Sequence, residues 1–330
     1  MKKFVFTMAL AATALASCTS NEDAPQMPEE ALVPIQPSIV SNIMLPDNDR
    51  TRADLTTSDN ISLIGWEVNK LPANVADADF AGAPTFSDAK VKLGNITGSA
   101  NVDLAMTPKK YYNANENIYT YLGGVYPAIG TGVTISNNVV TFTTKNGSLD
   151  VCTAKILGGS KNAPFTSSNN PLVFEHKTAK ITFEVKKDAS VAANTKLTEI
   201  TLNNVQVPQS VTFKKATADV TAGAPTGGLL PAFSGSLDLN TTANPATTNP
   251  LFICGGTVGG TAAGNITVSA KTQLGSTVTS YTNKAITIDG NKIEAGKHYK
   301  ITLTFSQKEI IPTVKVVGWG TVQTGTSSVQ

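Results

Sequence analysis

Ala179-Lys180-Ile181-Thr182-Phe183-Glu184-Val185 alternates apolar and polar residues without a break. Ala179, Ile181, Phe183 and Val185 point one way and Lys180, Thr182 and Glu184 the other, the period-two signature of a half-buried antiparallel sheet. Tyr299, Ile301, Leu303 and Phe305 repeat the pattern against Lys300, Thr302 and Thr304. Ile266, Val268 and Ala270 supply a third instance, and Ile286 with Ile288 a fourth. Val133-Thr134-Ile135 and Val139-Val140-Thr141-Phe142 flank Ser136-Asn137-Asn138, which predicts a hairpin. No stretch keeps a helical period over three turns. Thr, Val, Ile, Asn and Gly are abundant, and charged residues make up only 15%. Many short strands separated by Gly, Asn and Ser turns predict an all-β chain of two antiparallel sandwiches. The polar, proline-flanked loop 161–171 is the best boundary between them, giving 53–168 and 169–330.

The amino end reads differently. Residues 1–18, MKKFVFTMALAATALASC, carry Lys2 and Lys3 and then a mostly apolar run from Phe4 to Leu15. A membrane-spanning helix needs about 20 apolar residues, so this is a secretory signal peptide over 1–17. Leu15-Ala16-Ser17-Cys18 is similar to the bacterial lipobox, which would make Cys18 a lipidated first residue. The alternative is an ordinary signal peptide that contains a cysteine. Residues 22–37 are rich in proline and acid and read as an extended tether. A short β-like run follows, Ser38-Ile39-Val40-Ser41-Asn42-Ile43-Met44-Leu45, and then the turn signal Pro46-Asp47-Asn48-Asp49. All the arginine of the chain sits just after it, at Arg50 and Arg52. A turn-flanked Arg-Thr-Arg suits a protease that needs an exposed, extensible segment; two solvated loop arginines are the plainer alternative. Residues 18–52 thus form a tether and prosegment.

Charge and chemistry exclude several functions. The formal net charge is +2, and it falls to zero once Lys2 and Lys3 leave with the signal. Such a balance gives no basis for nucleic-acid binding. Cys152 and Cys254 lie in separate strand-like stretches and are expected as buried, reduced core thiols; a disulfide between them, conceivable in an exported chain, is the alternative. His176 and His298 belong to no metal or triad pattern. A Cys152–His176 dyad can be drawn, but a strand thiol beside a strand-edge imidazole is the favoured reading. The glycine run 255–264 lacks the Lys-Ser/Thr ending of a phosphate loop and reads as a flexible β-loop. Trp66 and Trp319 are read as core or groove residues rather than sugar platforms. The expectation is no catalytic residue, no metal ligand, no cofactor and no enzyme.

Several stretches in order resemble the fimbrillins, the type V pilus subunits of Bacteroidales-type bacteria. They are the lipobox, the short strand, Thr51-Arg52-Ala53, and an amphipathic strand such as Ile61-Ser62-Leu63-Ile64-Gly65-Trp66. Lys110-Tyr111-Tyr112, Tyr119-Thr120-Tyr121 and Val125-Tyr126-Pro127 are similar to the family's aromatic strand. The stretch from Val173 to Phe183 looks like its Phe-x-His-x-x-Ala-Lys-Ile strand, and Tyr299 to Phe305 and Val314 to Trp319 like its closing strands. The resemblance implies two tandem transthyretin-like sandwiches. It further implies an outer-membrane lipoprotein precursor, cut by a trypsin-like Arg-specific protease, that ends in a cell-surface fimbrium. Arg52, or else Arg50, is then the cleavage site. Ile39, Val40, Ile43 and Met44 belong to a prosegment strand whose removal opens a groove for a neighbouring subunit's strand. The implied partners are other pilus subunits, the protease, the membrane through the lipid, and a host or bacterial surface receptor. The rival reading is an anchored surface glycan-binding lipoprotein.

Overall fold

The computed structural model describes residues 32–40, 60–92, 101–166, 171–246, 250–260 and 263–317. Cys18, Ile43, Met44, Arg50, Arg52 and Trp319 lie outside the described residues. The architecture is all-β; the helical elements among the described residues are 3-10 turns of three or four residues.

A five-stranded antiparallel sheet forms the floor of the amino-terminal half. Its order is Phe86–Lys92, Asn60–Val68, Tyr119–Tyr126, Cys152–Gly159 and Phe174–His176. The strand Asn60–Val68 is not amphipathic as its sequence suggests: positions 61–66 are all buried. Ile61 and Leu63 enter one core while Ile64 and Trp66 enter another. A sheet covered on both faces reads as a continuous apolar run rather than an alternating one.

One cover is a four-stranded sheet of Ala218–Gly223, Val207–Phe213, Val139–Phe142 and Val133–Ser136. Trp66 lies against Phe213 with ring centroids 5.9 Å apart, and Phe80 meets Tyr121 edge-on at 5.4 Å. The expected hairpin is present here, with Asn137 at φ 52 in its turn, a conformation asparagine tolerates. This cover sheet crosses the expected 168/169 boundary. Ser210, Val211 and Thr212 pair with Thr141, Val140 and Val139, so a carboxyl-side hairpin completes the amino-terminal packing. Nor is 161–171 a spacer. Phe165 is buried in the first core, and Phe174–His176 beyond the loop extends the floor sheet. The chain leaves that sheet at 177–178.

The carboxyl-terminal half packs two sheets around one core. One is ordered Leu230–Asp238, Lys196–Asn203, Thr267–Leu274 and Thr277–Ala285, all antiparallel. The other centres on Ala179–Lys187, flanked by Leu251–Ile253 and Asn244–Pro245 on one edge and by His298–Phe305 and then Ile310–Val317 on the other. Ala179, Ile181, Phe183 and Val185 are buried with Tyr299, Ile301, Leu303 and Phe305, as their alternation dictates. Their pairing differs from the expectation: Ala179–Lys187 and His298–Phe305 run parallel, from Lys180↔His298 to Lys187↔Phe305. A parallel pair needs a long return path, and the opposite sheet provides it. Period-two alternation reports the buried face and is blind to the partner's direction.

Two loop-level expectations are also revised. Ile286 is fully buried and Ile288 partly so, yet both follow the strand Thr277–Ala285 in irregular backbone, where the carbonyl of Ile286 accepts from Gly259 N–H at 2.8 Å. The glycine run is partly paired, with Gly256 opposite Ile293. Gly259 has φ 88, and a Cβ there would lie 2.2 Å from Asn291 Oδ1, so this position requires glycine.

Candidate functional site

The second cover of the floor sheet contains the segment that precedes the two arginines. Val33-Pro34-Ile35-Gln36-Pro37-Ser38-Ile39-Val40 lies extended across the face formed by Ile61, Leu63, Leu122 and Ala154. Pro34 and Pro37 hold the residues before them away from the helical region, which favours an extended chain. Ile35 is 3% exposed and Ile39 4%, while Gln36 and Pro34 are exposed. Ile35, Pro37 and Ile39 therefore enter the core in alternation, while Ser38 between them is also buried, with its hydroxyl bonded to the wall. Burying each isoleucine is worth roughly 1.5–3 kcal/mol.

Backbone hydrogen bonds hold the segment from both sides. Ile35 N–H donates to Lys110 C=O at 2.8 Å, Tyr112 N–H to Val33 C=O at 3.0 Å and Leu104 N–H to Pro37 C=O at 2.7 Å. On the opposite side Leu172 N–H donates to Ser38 C=O at 2.7 Å, and Ser38 Oγ to Thr166 C=O at 3.2 Å. Ser38–Val40 pairs antiparallel with Asn101–Asp103, Ile39 opposite Val102. The walls are tied to each other: Phe165 N–H donates to the Tyr112 hydroxyl at 2.7 Å, and their rings stack at 6.0 Å. The site is a strand-shaped slot with an apolar floor and hydrogen-bonding walls. Beside the segment an open cavity of about 260 Å³ remains, lined by Ile35, Gln36, Leu104, Met106 and Tyr111 among others.

Of the prosegment residues singled out from sequence, Ile39 is buried in the slot and Val40 belongs to its strand. Ile43 and Met44 lie outside the described residues. The inserted stretch begins at Val33, within what reads as tether, because prolines that look like linker punctuation also keep a chain extended. Val33, Ile35 and Pro37 were therefore missed; their alternation with Pro34 and Gln36 is the signal that finds them.

A second cluster lies where the chain leaves the floor sheet. His176 Nδ1 is 2.9 Å from Asp150 Oδ1 and 3.4 Å from Cys152 Sγ. Thr178 Oγ1 donates to the same Asp150 oxygen at 2.9 Å. Cys152 and His176 are thus brought together, but both contacts use one ring nitrogen, so the imidazole cannot relay a proton from thiol to carboxylate through its two nitrogens as a triad does. Asp150 was missed from sequence; Asp150-x-Cys152 spacing on an extended chain is its only trace. His298 is buried elsewhere, with Nε2 2.9 Å from Thr182 Oγ1. Cys254 forms no disulfide with Cys152, and burial pushes its thiol up to about 12. Trp66 is 2% exposed and in the aromatic core, which removes it as a sugar platform.

No helix among the described residues is long and apolar enough to cross a membrane. No curated protein matches the sequence. Among solved structures, a candidate cell adhesion protein from Bacteroides uniformis is similar with TM-score 0.52 at 16% identity, over 89% of this chain and 100% of that one. A fimbrial protein from Bacteroides vulgatus is similar with TM-score 0.50 at 13% identity, over 79% of this chain and 93% of that one. At such identities the likeness concerns the fold. The sequence itself matches the fimbrillin-like family over residues 50–319, most of its length. The chain belongs to the fimbrillin-like family.

Proposed function

We propose that this protein is a structural subunit of a cell-surface pilus, assembled by exchange of the strand in the slot. The precursor is anchored through a lipid on Cys18 and cut after Arg52, or else Arg50, by an Arg-specific protease. The severed amino-terminal segment, including Val33 to Val40, then leaves. A strand of a neighbouring subunit takes its place, making the same backbone bonds to Leu104, Lys110, Tyr112 and Leu172. The observation that carries this reading is that a stretch ahead of both arginines contributes Ile35 and Ile39 to the core. A segment so placed is costly to remove and leaves an adhesive edge behind. Family membership and a fold similar to fimbrial and adhesion proteins support the pilus-subunit part of this reading.

Mass spectrometry of the surface-released protein tests it. The expected amino terminus is Ala53, and an Arg50→Ala/Arg52→Ala double variant is expected to stay monomeric and lipid-bound. A released, polymerised double variant would overturn the scheme.

A further inference from the structure

Three donor atoms of different chemistry meet where the chain leaves the floor sheet, at the start of the strand Cys152–Gly159 that also contributes Ala154 to the slot's floor. Asp150 Oδ1, Cys152 Sγ and His176 Nδ1 all lie within 4.8 Å of one another. The geometry points to a zinc-type metal site, in which Asp150, Cys152 and His176 hold a divalent d-block cation.

The backbone dictates the convergence. Cys152 and His176 are directly opposed across an antiparallel pair, and Asp150, two residues before Cys152, returns to the same side of an extended chain. Lys177 N–H donates to Val151 C=O at 2.7 Å, which fixes the strand end that carries all three. One ring nitrogen offers either one proton or one lone pair. Nδ1 therefore cannot make a full hydrogen bond to Asp150 at 2.9 Å and to Cys152 at 3.4 Å at the same time. A cation between the groups accepts a lone pair from each. Zinc bonds of about 2.0–2.3 Å in a tetrahedron set neighbouring ligands about 3.3–3.7 Å apart; the 3.4 Å between Nδ1 and Sγ matches, and the 2.9 Å between Nδ1 and Oδ1 would widen by a few tenths of an ångström on binding. Sulfur, nitrogen and oxygen together suit a borderline cation such as zinc, whereas calcium and magnesium take oxygen ligands.

The surroundings fit as well. The Thr178 hydroxyl donates to Asp150 Oδ1 at 2.9 Å, the outer contact that orients a ligating carboxylate. The Asp150 side chain is 17% exposed and that of His176 1%, so solvent reaches the site from the carboxylate side, where a water completes the coordination. Binding sends the thiol proton of Cys152 to solvent. The bound cation would tie the start of Cys152–Gly159 to residues 176–178, which lead into the second sandwich, and stiffen that passage.

The test is titration of the full chain, reduced and freed of metal, with cobalt(II) alone. One equivalent is expected to bind with a thiolate-to-cobalt absorption band that zinc(II) then abolishes. Cys152→Ser should lose the band and Cys254→Ser should keep it. Asp150→Asn should bind at least about tenfold more weakly, since losing even an outer contact to a ligand costs that much, and circular dichroism checks that the variant is folded. Absence of the band in the unaltered chain, or equal affinity in Asp150→Asn, would overturn the site and leave a hydrogen-bonded cluster.

Discussion

The backbone N–H of Leu172 donates to the carbonyl of Ser38 at 2.7 Å, while the neighbouring carbonyl of Pro37 accepts from Leu104 on the opposite side. Two successive carbonyls of one segment thus serve opposite walls, so this stretch is an interior strand even though it precedes both arginines. Ile39 anchors it. Ile39→Ala is expected to destabilise the uncleaved chain by about 2–5 kcal/mol, read from guanidinium unfolding. Gln36→Ala, at an exposed position, should stay within about 0.5 kcal/mol. Equal effects at the two positions would contradict the inward placement of Ile39.

A body beginning at Ala53 has the floor and walls without the strand. A synthetic peptide of residues 32–40 is expected to raise the thermal midpoint of that body and to suppress its self-association, because ligands that bind only the folded state stabilise it. The same peptide carrying Ile35→Asp and Ile39→Asp should do neither, since it would bury two unpaired charges. Identical behaviour of the two peptides would mean that the slot does not recognise alternate side chains.

Phe213 is fully buried against Trp66, although it is on the carboxyl side of the 161–171 loop. Phe213→Ala should therefore cost about 3–5 kcal/mol and loosen the amino-terminal half. Hydrogen exchange of the strand Tyr119–Tyr126 checks this: unchanged protection there would show that the hairpin is dispensable to that sheet.

Alkaline pH should weaken the fold. Burial pushes Tyr112 and Tyr121 from 10.0 up to about 12, and Cys254 from 9.0 up to about 12. Their folded values exceed their unfolded ones, so the native chain holds protons that the unfolded chain has released, and stability falls as pH rises. The contribution is complete below pH 9 and lost between about 9 and 12. Denaturation midpoints measured across that interval should decline, and less steeply in Tyr112→Phe. A flat profile would remove burial as the cause.

Strands with one wet face were legible: Ala179 to Val185 and Tyr299 to Phe305 alternate, and both lie where the pattern puts them. Three things were not. Ile61 to Trp66 is buried on both faces, and nothing local in the sequence announces its second cover. The parallel pairing of Ala179–Lys187 with His298–Phe305 depends on the path of the intervening chain. The hairpin at 207–223 packs with the amino-terminal half, and contacts so distant in sequence leave no local trace. At the slot, Ile39 was found from its β-like neighbours, but Ile35 was hidden among prolines. The convergence of Asp150, Cys152 and His176 depends on strand register, which spacing motifs do not encode.

The hairpin crossing has a temporal side. A chain delivered amino end first presents Trp66 and Tyr121 long before Phe213 arrives to cover them. The leading portion must wait, incomplete, until Val207–Phe213 has emerged and folded back beside Val139–Phe142. The two halves therefore mature in an interleaved order, and a product ending between 178 and 206 would carry a bare aromatic face, open to chaperones and proteases.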